Sequence, residues 1–545
     1  MDVSGTALTG GAGTPGLLDR ERTVARPGFN RWLVPPAALA IHLCIGMIYG
    51  FSVFWKPLEA AISGTPPAEC ARMSLWTAAV TTTCNWRQSD LGWTFTLAIV
   101  LLGASAALFG GWLERAGPRR AGLVAAFCWS GGLLISAFAI SVHQLWLLWV
   151  GAGVIGGIGL GLGYIAPVST LIKWFPDRRG MATGMAIMGF GGGAMIGSPL
   201  AVILMRQFKA PGSPGVWQTF VVLALIYAVF MIGGAFAFRV APDGWAPSGF
   251  KAGAAKRLVT TRNVALQDAH KTPQFWLVWI VLCLNVSAGI GVIDAASPML
   301  QEIFGGSLIG QPGVALKNLS KAQIEQVAAL AGGFVALLSL FNIGGRFFWA
   351  SLSDWIGRKS TYAVIFLLGI FLYAIAPTLA HADQRALFVL AFCIILSMYG
   401  GGFSTVPAYL ADLFGTRYVG AIHGRLLTAW SAAGVIGPVL VNYIRQAELN
   451  AGVAQSHVYD VTLYVLVGLL VIGFLANLAV HPVSERWFMR EAAPAATVSQ
   501  AVPLGDQGIG RGAFGIGALA AWAVVGLPIL WGVYITLSKA VVLFS

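Results

Sequence analysis

The chain carries one cation in a place where cations are costly. Arg346 lies in Phe341-Asn342-Ile-Gly-Gly345-Arg346-Phe-Phe-Trp349, inside an apolar run, where an arginine costs about 2.5–3.5 kcal/mol to insert at the bilayer centre. A guanidinium stays charged and offers a planar fork that can hold a carboxylate by two hydrogen bonds, so the chemistry it suggests is anion recognition. The alternative is a structural role, with Asp354 or a helix carbonyl as partner. About two turns separate Arg346 from Asp354, a long way for the side chain to snorkel. Asn342 lies one turn away on the same face, able to help hold an anion or to bond across helices. Tyr399 and Phe403 also share a face at i, i+4, and Tyr49, Tyr164 and Trp430 complete a set of aromatic candidates that either line a cavity or pack helices. His42 and Asp294 are the candidates for coupling, since either could titrate between states. Glu114, Arg115, Arg119 and Arg120 at one loop, with Asp354, Arg358 and Lys359 at another, could form charge pairs that close a mouth.

These residues need a membrane bundle to position them. Of 545 residues 57% are hydrophobic and only 10% charged, with a mean hydropathy of +0.76; soluble domains carry about 25% charge. Soluble enzymes, secreted disulfide scaffolds and disordered chains are excluded. Apolar runs of about 20 residues, enough to cross a membrane, occur at 32–54, 91–113, 121–141, 145–172, 181–205 and 216–238, then at 274–297, 327–349, 360–380, 386–411, 421–443 and 460–482, with one more at 514–537. A Pro- and Lys/Arg-containing stretch from Arg239 to Lys271 separates the two sixes. The expected organisation is a tail (1–31), a six-helix half (32–238), a linker (239–273), a second half (274–482), a second linker (483–513) and an extra helix (514–545).

With the N-terminus inside, 23 of the 34 Lys and Arg fall in inner segments and 10 in outer ones, leaving Arg346 within a span. This bias makes the tail and first linker cytoplasmic, and a thirteenth crossing puts the C-terminus outside. The first 30 residues lack the apolar core of a signal peptide. The expected setting is a bacterial inner membrane. The net charge of +13 therefore reports topology and not nucleic acid. Cys70 and Cys84 share an outer loop, where they can pair if that face is oxidising; the other four cysteines lie in spans and read as packing residues.

An internal repeat of 240 residues runs through the chain. It relates Glu114 to Asp354, Gly117 to Gly357, Arg119 to Lys359, Pro167 to Pro407, Gly180 to Gly420, Gly184 to Gly424 and Gly197 to Gly437. Matches at one offset, joining equivalent loops and helices, indicate two like-oriented six-helix halves. The loops Gly110-Gly-Trp-Leu-Glu114-Arg115-Ala-Gly117-Pro-Arg119-Arg120 and Ala350-Ser-Leu-Ser-Asp354-Trp-Ile-Gly357-Arg358-Lys359 resemble the signature loop of the major facilitator superfamily. Gly159-Leu-Gly-Leu-Gly-Tyr164-Ile-Ala-Pro167, Lys173-Trp-Phe-Pro-Asp-Arg-Arg-Gly180, Asp412-Leu-Phe-Gly415 and Thr428-Ala-Trp430 resemble its oxalate:formate antiporter branch, over about residues 32–482.

The resemblance implies an all-α, twelve-helix fold with an extra helix, and transport of a small carboxylate by alternating access. It places Arg346 at the family's carboxylate-binding arginine. In oxalate-type members a lysine in span 11 accompanies that arginine; Trp430 stands at its position here, so one cation is missing. A monocarboxylate such as formate, lactate or pyruvate suits a single arginine better than a dianion. Asn342 with Arg346, and Tyr399 with Phe403, also resemble bacterial monocarboxylate transporters. The extra helix is similar to a one-helix small subunit found beside such transporters. Exchange and proton symport both remain open, as do an oxalate:formate antiporter and a non-transporting sensor on the same fold.

The expected partners are small carboxylates, lipid and protons, with the chain acting as a monomer. No catalytic residue, cofactor or metal is expected: Walker, H-E-x-x-H and C-x-x-C patterns are absent, and Gly151-Ala-Gly153-Val-Ile-Gly156 sits within a span, where small-residue packing explains it.

Overall fold

The computed structural model describes residues 16–540 except 60, 63–69, 71–72, 212, 243–244, 248–258, 261 and 490–514. Among the described residues the only extended pairings are isolated bridges, and thirteen helices are long and apolar enough to cross a membrane. The first half comprises α1 (Val34–Ile45), continued as a 3-10 turn over Gly46–Phe54, then α2 (Gln88–Ala116), α3 (Pro118–Ser141), α4 (Gly156–Trp174), α5 (Arg179–Phe208) and α6 (Val216–Ala237). The second comprises α7 (Pro273–Phe304), α8 (Lys321–Ile356), α9 (Arg358–His381), α10 (Arg385–Phe414), α11 (Val419–Leu426, then Thr428–Asn450 after a break at Leu427) and α12 (Asp460–Ala479). The extra helix is α13 (Ile516–Ala540).

Local chemistry sets these helices. Thr272 caps α7, accepting from Phe275 N, and Ser320 with Gln323 forms a capping box at the start of α8. Gly117 and Gly357 each end one helix and begin the next at φ 84° and 89°, a region that side chains avoid. This is why the repeat keeps a glycine at both corners.

The halves meet along two seams, α2 against α11 and α5 against α8, with α10 also touching α5. The remaining helices present apolar residues outward, such as Phe127, Phe371 and Leu475, as lipid contact demands. The linker is pinned at its far end: Thr260 N and Val264 N donate to Asp412 O and Phe414 O.

α13 lies in the groove over the α5–α8 seam and also touches α1. Val525 is buried with Leu39 and Ala40, next to Leu43, Met188 and Trp522, while Trp522 Nε1 donates to Trp32 O at 3.2 Å. Trp522 is thus beside the start of α1 and Gly532 faces Met195, beyond the middle of α5. α13 therefore runs parallel to α1.

On the opposite face from the linker, Cys70 and Cys84 form a disulfide. The loop is fastened to the α3–α4 turn, where His143 Nε2 lies 2.9 Å from Cys84 O and the imidazole stacks on Trp86 at 4.2 Å. Burial holds the His143 imidazole below its ordinary value, partly offset by that bond. Alkylation of unfolded, unreduced protein should modify four thiols, and six after reduction; mass spectrometry that finds six without reductant would remove the disulfide.

Candidate functional site

Arg346 is completely buried, on the face of α8 turned toward the other half. Its Nε donates to Asn342 Oδ1 at 2.9 Å, one turn earlier, and its Nη1 donates to Ile187 O of α5 at 3.2 Å, across the seam. Nη2 has no hydrogen-bond partner. The guanidinium carbon lies 5.8 Å from the Phe190 ring and 5.5 Å from the Phe403 ring. None of the ion pairs among the described residues involves Arg346. The suggested partnership with Asp354 is not formed, because that carboxylate is engaged elsewhere; the helix-carbonyl partner is real, and it belongs to the opposite half.

An aromatic wall surrounds this cation. Trp430 is at its centre, 4.5 Å from Phe403, 5.3 Å from Phe190, 5.4 Å from Tyr164 and 6.3 Å from Tyr49, ring centroid to centroid. Tyr49 and Tyr399 share a hydroxyl hydrogen bond of 3.1 Å from one half to the other, and Tyr399 packs on Phe403 at 5.3 Å. All seven candidate binding residues therefore converge. The break at Leu427 and the 3-10 turn after α1 lie beside Trp430 and Tyr49 respectively.

Several polar atoms in this cluster are buried and unpaired: Arg346 Nη2, Tyr164 Oη, Trp430 Nε1 and both ring nitrogens of His423. Burying such groups unpaired costs about 1–3 kcal/mol each, so the site suits a small polar ligand that can complete them.

Phe190 and His423 were not singled out by the sequence. Phe190 precedes Trp430 by 240 residues, so the repeat relates them. Two residues exchanged by a twofold axis touch only when both lie close to it, which puts the Phe190–Trp430 pair at the axis. His423 sits 5.8 Å from Tyr164, near the inner end of its span, where a sequence reading takes it for interfacial.

His42 stays within its own half, with Nδ1 against Ala186 O and Nε2 3.2 Å from Tyr164 O. The side chain of Asp294 lies outside the described residues. Arg425, the other cation of span 11, is held at the linker face, its Nη1 2.6 Å from Leu266 O and 2.8 Å from His270 Nδ1.

At the linker face the seam is closed by a different network from the one expected. Asp354 accepts from Gly180 N at 2.9 Å, Met181 N at 3.0 Å and Arg358 Nη2 at 2.6 Å. A carboxylate of one half thus seats on the positive N-terminus of α5 in the other. Asp412 is shared between Arg358 Nε (3.1 Å) and Arg179 Nη1 (2.9 Å), and Arg179 belongs to the first half. A Cβ on Gly180 would lie 2.0 Å from Ala350 O, so this approach requires glycine.

The remaining charges do not pair across the mouth. Glu114 takes Lys173 at 2.6 Å and Ser169 at 3.2 Å, Arg119 donates to Leu17 O and Phe236 O, and Arg120 pairs with Asp19. Lys359 donates to Leu478 O and Val480 O. The bonds named run within one half or to the N-terminal tail, through Leu17 and Asp19. Arg115 lines a linker-face cavity of about 810 Å³ together with Lys173, Arg179 and Arg417.

Two helical halves, closed against each other at one face around a fully buried cation that has no acidic partner among the described residues, are the makings of a membrane transporter. The chain belongs to the Major Facilitator Superfamily, whose model matches residues 38–438. It is 27% identical over 410 residues to the oxalate:formate antiporter of Oxalobacter formigenes, covering 75% of this chain and 83% of that one. It is 24% identical over 485 residues to apicoplast pyruvate carrier 1 of Toxoplasma gondii, covering 76% and 82%. Among solved structures, the proton:xylose symporter XylE superposes with a TM-score of 0.57 at 15% identity, over 83% of this chain and 95% of that one, which shows the shared fold.

Arg179→Gln removes one cross-seam ion pair, about 1–2 kcal/mol, so the linker face should open roughly 5- to 30-fold more often. Maleimide labelling of a cysteine placed at Ser169, on a background without the four free thiols, reads this out; an unchanged rate would show that the pair does not hold the face shut.

Proposed function

We propose that this protein carries small monocarboxylates, of the formate, lactate or pyruvate type, across the bacterial inner membrane by alternating access, with the linker face cytoplasmic and the C-terminus outside. The supporting observation is the state of Arg346: buried, free of any acidic partner among the described residues, and with Nη2 unpaired between the halves. A carboxylate can take that position through a charge-assisted hydrogen bond. Asn342, Tyr49 and Tyr399 add polar contacts, and Phe190, Phe403, Tyr164 and Trp430 enclose the carbon end. The names of the two relatives above point to small carboxylates, oxalate and formate in one and pyruvate in the other.

Charge count favours one carboxylate over two. The resemblance to oxalate-type members puts Trp430 where their second cation stands, and Arg425 is committed to Leu266 and His270 at the linker face. A dianion would bring an uncompensated charge into a low dielectric.

His42 supports proton coupling. Both of its ring nitrogens face carbonyl oxygens, of Ala186 and Tyr164, so a proton arriving on the ring finds an acceptor. The protein works as a monomer in this reading, and the fused α13 needs no separate subunit.

Counterflow in proteoliposomes tests the site. Labelled monocarboxylate should exchange in the wild type and fall by about 30-fold or more in Arg346→Gln, as expected when one partner of a buried charge pair is lost; Arg346→Lys should also fail, lacking the fork. Oxalate exchange as fast as formate exchange would overturn the single-charge preference.

A second experiment tests coupling. His42→Gln should retain counterflow while losing uptake driven by an imposed proton gradient; gradient-driven uptake at wild-type rates would exclude His42 as the proton carrier.

A further inference from the structure

Three metal-ligating side chains that the carboxylate site does not use meet on the disulfide face. His381 is the last residue of α9, His457 ends the 3-10 turn Gln455–His457 between α11 and α12, and Asp460 is the first residue of α12. His381 Nε2 lies 2.9 Å from Asp460 Oδ2, and His457 Nδ1 lies 3.4 Å from the same oxygen. The three donor atoms all fall within 4.8 Å of one another, and the imidazole centroids are 4.2 Å apart.

These separations are hydrogen-bond distances that also lie within reach of a shared metal. With zinc–nitrogen and zinc–oxygen bonds of about 2.0–2.2 Å, neighbouring donors on a tetrahedron sit roughly 3.3–3.5 Å apart. Of the three donor pairs, His457–Asp460 already has this spacing, His381–Asp460 would open by a few tenths of an ångström, and the two imidazole nitrogens lie within 4.8 Å of each other. Both imidazoles converge on one carboxylate oxygen, their rings tilted by 51° with centroids 4.2 Å apart. A metal takes both lone pairs and the carboxylate charge together.

The site is also accessible and well anchored. The side chains are 41%, 45% and 24% exposed for His381, His457 and Asp460, so an ion can enter from solution. His381 is held at the end of a 24-residue helix, whose tight exit has Asp383 at φ 50° and Gln384 N bonded back to Leu379 O. Asp460 opens α12, which packs along α9.

We propose that His381, His457 and Asp460 form a binding site for a divalent transition metal ion of the zinc type. Two imidazoles and a carboxylate favour borderline metals over calcium or magnesium, which prefer oxygen donors. Three protein ligands leave a fourth position to water, so the ion exchanges with its surroundings. Bound metal ties the turn between α11 and α12 to the end of α9, bracing the outer end of the helix that carries Trp430.

The test uses the full-length, tag-free protein in detergent, stripped with chelator and titrated with zinc. Calorimetry should find one ion per chain with micromolar or tighter affinity, and the melting temperature should rise with zinc concentration. Asp460→Asn and the double variant His381→Ala/His457→Ala should each weaken binding at least tenfold while leaving the metal-free melting temperature within a few degrees. Cobalt bound to the wild type should show the visible absorption of a tetrahedral centre, a readout that needs no variant. Zinc binding far below one per chain, zinc binding unchanged in the double variant, or cobalt showing only its aqueous spectrum would each overturn the site. None of these outcomes depends on transport.

Discussion

A guanidinium enclosed by helices in hydrocarbon has five N–H groups and no water to satisfy them. Arg346 meets this demand partly from its own helix, through Asn342, and partly from the opposite half, through Ile187 O. Its comfort therefore depends on how the halves sit. Any rocking that separates α5 from α8 strips away the Ile187 carbonyl, and a bound anion can then replace it. The aromatic faces of Phe190 and Phe403 lie close enough to soften the remaining charge. Cation, seam and enclosure are one problem, and the glycine-rich stretch around Phe190 reflects how tightly the backbones must approach to solve it.

The twofold repeat supplies a frame that the chemistry then breaks. Phe190 and Trp430 remain equivalent and touch at the axis, but the position equivalent to Arg346 is Ala106, so the charge lies off the axis in the second half. The same division appears at the linker face. Asp354 seats on the amides opening α5, whereas its equivalent Glu114 turns to Lys173 and Ser169. One seam is thus latched by a carboxylate on a helix end, and the other by close helix packing with Ser431 Oγ donating to Ile99 O at 3.0 Å. An anion held to one side by a single cation meets two unlike halves, which symmetric architecture alone would not provide.

Much of this was legible in the sequence because the membrane limits the alternatives. Span length suffices for the helix count, matches at one 240-residue offset for the repeat, and one arginine out of place for Arg346. The aromatic partners were readable as types on helix faces, and the structure brings Tyr49, Tyr164, Tyr399, Phe403 and Trp430 together. Contacts between distant segments were harder to foresee. Arg179 and Asp412 occur in segments whose family resemblance was visible, yet nothing in their spacing says that they meet. Conversely, Arg119, Arg120 and Lys359 looked like gate charges because a loop position does not reveal which carbonyls wait nearby. His381, His457 and Asp460 fall at helix ends 76 and 3 residues apart, a spacing that matches no local motif.

The position of α13 has a consequence for how the chain could be assembled. Between the last described residue before it, Met489, and Gly515 run 25 residues, 490–514, which fully extended could reach about 80–90 Å. So generous a tether does not dictate where the helix lands. Its place is selected by Trp522, Val525 and the groove they fill, and the tether contributes only a high local concentration. A helix that finds its groove by shape would do so from a separate polypeptide as well, provided enough of it were present. Carried on the same chain, the helix has a fixed one-to-one stoichiometry with the bundle.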